Sequence, residues 1–216
     1  LNKYNETKYM PQSFIWIVIG FISGSIPWAL IIGKLFLSKD IRIIGDGNPG
    51  AVNTWKIAGS SLGMLSVVME ICKSLIPVFI AILYLGQPSG LLEHIWLSLV
   101  ALAPIIGHGW TPFLRFKGGK ALATSLGSWI AITNGMAFPI ALILLGTIHL
   151  FQRNHAITVT SCLIGFVIIF LAQQMYLYTA LFGISNILVV IHKHRSEYSG
   201  GILLREWVPK LAGKLS

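Results

Sequence analysis

Hydrophobic residues run along this chain in long blocks rather than in alternation, with polar or Gly/Pro-rich stretches between them. The blocks fall at about 14–37, 61–85, 91–106, 120–133, 136–151, 156–172 and 174–191. A helix needs about 20 mostly apolar residues to cross the hydrocarbon of a bilayer. The pattern therefore predicts an all-α, polytopic membrane protein with about seven transmembrane helices, forming one integral-membrane domain over residues 1–216. The first block is long for a signal-peptide core and lacks an A-x-A pattern, so it reads as a retained span.

Composition sharpens this picture. Apolar residues make up 55% of the chain and charged residues 11%, against roughly 25% charged in soluble domains. The charges are also lopsided. Lys34, Lys39, Arg42 and Lys56 flank the first link, Arg115, Lys117 and Lys120 the third, and Arg153 the fifth. Lys193, Arg195, Arg205, Lys210 and Lys214 follow the last block, so thirteen of the sixteen basic residues share one side. Lys3 and Lys8 lie opposite, and Lys73 falls within a span. Basic loops stay in the cytoplasm, which puts the odd links and a tail over 193–216 there and a tail over 1–13 outside. The net charge of +9 then favours contact with anionic membrane lipids and calls for no nucleic acid.

The unusual polar stretches gather on the same side. "GDGNPGAVN", residues 45–53, has three glycines that permit left-handed turns and close approach of main-chain N–H groups to an anion. "GHGWTPFLRFKGGKALAT", residues 107–124, places Lys117-Gly118-Gly119-Lys120 just before an apolar helix. A phosphate there would meet free N–H groups, a positive helix end and two ammonium groups, although the bare pattern taken alone favours an ordinary basic turn. The Walker A spacing is missing. Glu70 and Lys73, three apart in the second span, share one helical face, either as a bracing pair or as part of the site.

His194 follows the last span, where an imidazole titrating near neutrality suits proton transfer. No Gly-x-Ser-x-Gly elbow is present, and Cys72 and Cys162 sit in apolar runs as packing residues. His108, His149, His155, His192 and His194 form no ligand pattern, so no metal is expected.

Taken together, "GSIPWALIIGKL", "DIRIIGDGNPGAVNTWKIAG", "EICKSLIP", "GHGWTPFLRFKGGKALAT" and the pair His194 and Glu206 resemble the bacterial membrane glycerol-3-phosphate acyltransferases that use acyl phosphate as donor. The resemblance implies seven helices in the cytoplasmic membrane of a bacterium, with the active-site loops and the C-terminus cytoplasmic. It implies transfer of a fatty acyl group from acyl phosphate to the 1-hydroxyl of glycerol 3-phosphate, giving lysophosphatidic acid and phosphate, by a monomer without cofactors or metal. Catalytic positions carried over are Lys120, His194, Asp46, Lys56 and Glu197. Substrate-binding positions are Gly47, Asn48, Gly50, Asn53, His108, Lys117, Gly118, Gly119, Thr124 and Glu206. No enzyme nucleophile is needed, because acyl phosphate carries a good leaving group.

The chain departs from the family pattern at several of these positions. Serine is usual at Asp46, arginine at Lys56, asparagine at Glu197, arginine at Gly200, threonine at Val52 and aspartate at Glu70. A carboxylate about 4 Å from a phosphate charge costs about 1 kcal/mol in water-like surroundings and about 4 kcal/mol at an intermediate dielectric. Such repulsion leaves open an acceptor-switched enzyme, or a catalytically silent relative that binds lipid. Pairing of Asp46 and Glu197 with Lys56, Arg42 or Arg195 would instead leave the pocket less altered. A transporter is disfavoured, because no inverted repeat is evident and the polar loops avoid the midplane.

Overall fold

Every apolar block is helical, the first as two helices. The structure is a computed structural model that describes residues 2–173 and 176–208. Its helices are α1 (Asn2–Ser25), α2 (Trp28–Leu37), α3 (Ala51–Leu85), α4 (Leu91–Gly109), α5 (Leu122–Ile132), α6 (Ala137–Phe151), α7 (His155–Ala172) and α8 (Leu177–Lys193), with short 3-10 turns at Ile41–Ile43, Pro112–Leu114 and Arg195–Gly200. Among the described residues there is no strand beyond a single bridge between Gln152 and Leu204. Four segments are long and apolar enough to cross a bilayer, namely Tyr9–Leu37, Ala51–Leu85, Leu91–Leu114 and His155–Ala172, and α5, α6 and α8 are shorter apolar helices. Large apolar side chains such as Phe14, Leu83, Leu142, Ile168 and Leu188 face outward, as expected of a multi-pass membrane protein whose solvent is lipid. Lys210 and Lys214, counted with the cytoplasmic charges, lie outside the described residues, as do the side chains of Lys3 and Lys8.

Three details correct the block pattern. Residues 2–13, read as a tail, are helical and extend α1. The first block breaks at Ile26 and Pro27, because proline has no N–H to continue the ladder. Side chains from the link after α4 and from α3 stitch that break: Thr111 Oγ1 donates to the Ser25 carbonyl at 2.6 Å and Lys73 Nζ to the Ile26 carbonyl at 2.9 Å. Finally, the second half of the 41–59 stretch is helical rather than loop. It forms a short arm of α3 that turns sharply at Gly59, whose φ of 77° favours glycine. The arm folds back so that Trp55 covers Gly63, where a Cβ would meet the Trp55 backbone.

Small residues set the other crossings. A side chain on Gly24 of α1 would collide with the Pro104 backbone on α4, and one on Gly127 of α5 with the Ile71 carbonyl on α3. Helices in lipid associate through such close backbone packing, since burial in hydrocarbon gives no hydrophobic gain between them. With only 11 residues, α5 is about 16 Å long, too short to span by itself. Instead it lies inside the bundle, carrying fully buried Trp129 among Phe166, Phe170 and Phe182. The indole N–H of Trp129 donates to Asn186 Oδ1 at 3.0 Å, and Asn186 Nδ2 donates to Ser125 Oγ at 2.7 Å. This internal α5 delivers its N-terminus, and Lys120 before it, to the end of the bundle where the loops meet.

Candidate active site

The floor of the site is an ionic cluster inside the bundle. Glu70 and Lys73 are 1% and 4% exposed, and Lys73 Nζ lies 2.6 Å from Glu70 Oε2. His108 of α4 joins them, its Nδ1 at 3.0 Å from the same carboxylate oxygen and 2.7 Å from the ammonium. The other oxygen of Glu70 accepts the Ala29 N–H at the start of α2, at 3.2 Å. Charges this deep persist only when paired, so the cluster ties α2, α3 and α4 together beneath the loops.

The Lys117-Gly118-Gly119-Lys120 turn rests on this floor. A Cβ at Gly118 would collide with the His108 carbonyl, and one at Gly119 with the His108 ring. The Gly119 N–H donates to the His108 carbonyl at 3.1 Å, so that donor is spent on structure rather than offered to an anion. The paired glycines act as a close-packing surface that brings Lys120 over the cluster. Beyond them Ala121 takes a left-handed conformation (φ 64°) and starts α5 with no side-chain cap.

The 45–53 loop forms the facing wall. Asn53, on the arm of α3, donates from Nδ2 toward the carbonyls of Ile44 and Asn48 and toward Asp46 Oδ1, at 3.1, 2.9 and 3.1 Å. Two hydrogens shared over three acceptors make Asn53 the staple of the loop, and the residue also lines the larger of the two cavities at this end of the bundle. Its Oδ1 presses on Gly45, whose φ of 60° and lack of Cβ the contact requires.

Asp46 then reaches across. Its Oδ1 accepts the Asn48 N–H at 3.1 Å and its Oδ2 lies 2.5 Å from Lys120 Nζ. Glu197, in the turn after α8, meets the same ammonium through Oε1. The pairing expected with Lys56, Arg42 or Arg195 is thus replaced by pairing with Lys120, and Arg42 is held by Asp40 at 2.6 Å instead. Burial pushes the Asp46 carboxyl up, but Lys120 and the Asn48 and Asn53 donors outweigh it and hold the pKa at about 2. Burial pushes Lys120 down, and its two carboxylates outweigh that and raise it.

Two cavities adjoin at this ion pair. A polar cavity of about 350 Å³ includes Gly47, Lys117, Gly118, Lys193 and Arg195 in its lining, together with Asp46, Asn48 and Lys120. A larger one of about 510 Å³ shares Asp46, Asn48 and Lys120, and adds apolar Val52, Val67, Leu122 and Ala123 beside Gly50, Lys56, His108 and Glu197. A slot bounded by Val52, Trp55 and Val67 continues from it along the arm of α3.

Three expected site residues are placed elsewhere. Thr124 is fully buried between helices, where its carbonyl accepts from Ser74 Oγ at 2.6 Å. Glu206 lies 3.7 Å from Arg153 in a separate surface cavity with Arg205 and Trp207. His194 is 0% exposed and lines neither active-site cavity. Its Nδ1 donates to the Val190 carbonyl at 2.9 Å, and its buried Nε2 has no partner among the described residues. Burial, reinforced by Lys120, lowers its pKa below that of a free imidazole, against the Val190 carbonyl and the nearby carboxylates. Besides His108, the larger cavity is lined by His155, whose ring centroid lies 6.1 Å from that of His194. Asn154 caps α7 by accepting the Ala156 N–H at 3.0 Å, and an asparagine just before an apolar block is a helix-start signal that fixes His155 as the first residue of α7, beside Arg153.

The family model described as "Glycerol-3-phosphate acyltransferase" matches residues 14–201. The chain belongs to this family. A glycerol-3-phosphate acyltransferase of Staphylococcus haemolyticus is 34% identical over 184 residues, 83% of this chain and 90% of the relative. One from Macrococcus caseolyticus is 36% identical over 154 residues, 71% and 75% of the two chains. The fold is similar to the crystal structure of PlsY, an integral membrane glycerol 3-phosphate acyltransferase, in its glycerol 3-phosphate form (TM-score 0.77, 25% identity, 92% of this chain and 98% of that one). It is similar also to the lysophosphatidic acid form (TM-score 0.75, 26% identity, 87% and 90%). The two acidic residues that stand where the resemblance implies neutral ones, Asp46 and Glu197, meet on one lysine, which offsets part of the charge they add.

Proposed function

We infer that this acyltransferase moves a fatty acyl group from acyl phosphate to the 1-hydroxyl of glycerol 3-phosphate, giving lysophosphatidic acid and inorganic phosphate. The observation that carries the reading is the pair of cavities sharing Asp46, Asn48 and Lys120. The polar cavity, with Lys117, Lys193, Arg195 and Lys120, suits the phosphate of the acceptor. The larger cavity suits acyl phosphate, its chain following Val52 and Val67 and its phosphate directed to Lys120 and the N-terminus of α5. Both phosphates then approach the same ammonium, which brings the glycerol hydroxyl beside the acyl carbon.

The hydroxyl oxygen attacks the acyl carbon, the bond from that carbon to the phosphate oxygen breaks, and the departing phosphate carries away the hydroxyl proton. No covalent acyl-enzyme is required. Lys120 stabilises the negative charge that develops on the carbonyl oxygen and on the leaving phosphate. His108 and the Glu70–Lys73 pair position the turn that carries Lys120. Asn48 orients substrate from the shared wall, and Lys56 adds a cation to the donor cavity. His194 acts through His155 and the turn bearing Glu197. The protein is one domain over 1–216 in the bacterial cytoplasmic membrane, with the basic loops and the C-terminus on the cytoplasmic side, where soluble glycerol 3-phosphate is available.

The test is formation of lysophosphatidic acid by purified protein in liposomes with palmitoyl phosphate, adding or withholding glycerol 3-phosphate. Acceptor-dependent product that vanishes in Lys120→Ala is expected. Absence of product in the unaltered protein would overturn the reading.

A further inference from the structure

We propose that Asp46 and Glu197 form a displaceable anion clamp on Lys120, which yields to the acceptor phosphate and closes again to expel inorganic phosphate. The inference rests on the acyltransferase reading above and assigns to these two residues control over how tightly the site holds phosphate.

Three separate segments meet at the clamp: the loop before α3, the turn before α5 and the turn after α8. With two carboxylates on one ammonium the trio carries a net negative charge, so a phosphate gains little from Lys120 until a carboxylate leaves. The two arms are unequal. Asp46 is fixed by its other oxygen, which accepts from the Asn48 N–H and the Asn53 amide. Among the described residues the Glu197 carboxylate has its ion pair with Lys120 and accepts no further hydrogen bond that would fix it. Glu197 is therefore the arm that swings and Asp46 the arm that stays.

The surroundings favour an exchange. Lys117, Lys193 and Arg195 line the same polar cavity and form no ion pair among the described residues. The Lys193 ammonium is engaged by the Gly109 carbonyl at 2.7 Å, which leaves its charge uncancelled. An incoming phosphate meets these cations first, then competes with Glu197 for Lys120. The clamp also stands between the two cavities, since Asp46 and Lys120 line both while Glu197 lines the larger. Once the reaction releases inorganic phosphate, Glu197 returns to the ammonium and the anion is displaced by a tethered competitor whose effective concentration is high.

The clamp thus weakens binding of substrate phosphate and product phosphate together. The experiment measures the dissociation constant of inorganic phosphate by titration calorimetry on purified unaltered protein, Glu197→Gln and Asp46→Asn in detergent. In parallel, lysophosphatidic acid formation gives the KM for glycerol 3-phosphate and the inhibition constant of inorganic phosphate. Removing one carboxylate from a partly exposed pair is expected to tighten phosphate about fivefold in both assays and to lower KM by a similar factor. Phosphate binding that is unchanged or weaker in both variants would overturn the clamp, and because calorimetry needs no turnover, loss of activity in a variant cannot mask that result. Absence of glycerol 3-phosphate-dependent product in the unaltered protein would overturn the proposed function instead.

Discussion

Glu70 of α3 accepts the backbone N–H of Ala29 at 3.2 Å, across the break that separates α1 from α2. The same carboxylate holds Lys73 and His108 through its second oxygen, so one buried side chain links the interrupted span to the floor of the active site. Replacing Glu70 by alanine leaves Lys73 charged and unpaired inside the bundle. Breaking such a pair costs about 3 to 5 kcal/mol. A large drop in the thermal midpoint of the detergent-purified protein, followed by tryptophan fluorescence, is the expected outcome, with Glu70→Asp retaining more stability because it keeps the charge.

Lys120 is the converse case. It sits at the surface of the bundle end, its side chain 24% exposed, and under the proposed function it acts on substrate rather than in packing. Lys120→Ala is expected to lower lysophosphatidic acid formation about 100-fold or more, the loss seen when a preorganised electrostatic group is removed. Its thermal midpoint should stay close to that of the unaltered protein, which separates a catalytic role from a folding one.

His194 predicts a pH dependence of stability. Its folded pKa is lowered, chiefly by burial, whereas in the unfolded chain an imidazole titrates near roughly 6.5. Below that pH the unfolded chain takes up a proton that the folded one resists, so the stability that neutral His194 contributes is present above it and is lost as pH falls. The thermal midpoint measured from pH 7.5 down to 5.5 should decline, and His194→Gln should flatten the slope. An unchanged slope would remove His194 as its source.

Close helix packing predicts a contrast between two glycines. Gly24→Leu drives a side chain into the Pro104 backbone and should destabilise by about 1 to 3 kcal/mol. Gly146 in α6 has open space where a Cβ would stand, and Gly146→Ala should be neutral or slightly stabilising through helix propensity. Parallel melts of the two proteins decide it.

Glu206 supplies a further check on the placement of the site. Its partner is Arg153 and its carboxylate is well exposed, so Glu206→Gln should leave the KM for glycerol 3-phosphate within about twofold, the small effect expected of a surface ion pair. A larger change would draw the C-terminal segment into the site.

Much of the molecule was legible in its sequence, because hydrocarbon imposes a simple rule. Backbone groups in a bilayer must bond within their own helix, so block length and block ends map directly onto helices, and α3 to α8 begin or end within a few residues of the apolar blocks apart from the arm at 51–58. The meeting of the loops was legible where a motif lies on one stretch of chain, as Asp46, Asn48, Lys117 and Lys120 do, since all four line the cavities at one end of the bundle. Contacts were not legible where a residue reads alike in two settings. Thr124 is packed between helices, and Asn53 staples the 45–53 loop while lining the larger cavity.

By itself the sequence determined the helical membrane architecture, the family and the loops that meet, because hydropathy, charge placement and ordered motifs are properties of the chain read in one direction. Which groups touch was decided only by the tertiary structure. Lys120 receives both Asp46 and Glu197, residues far apart in the chain, and His155 rather than His194 lines the larger cavity, because helix rotation and the close approach of Gly118 and Gly119 to His108 choose the partner of each charge.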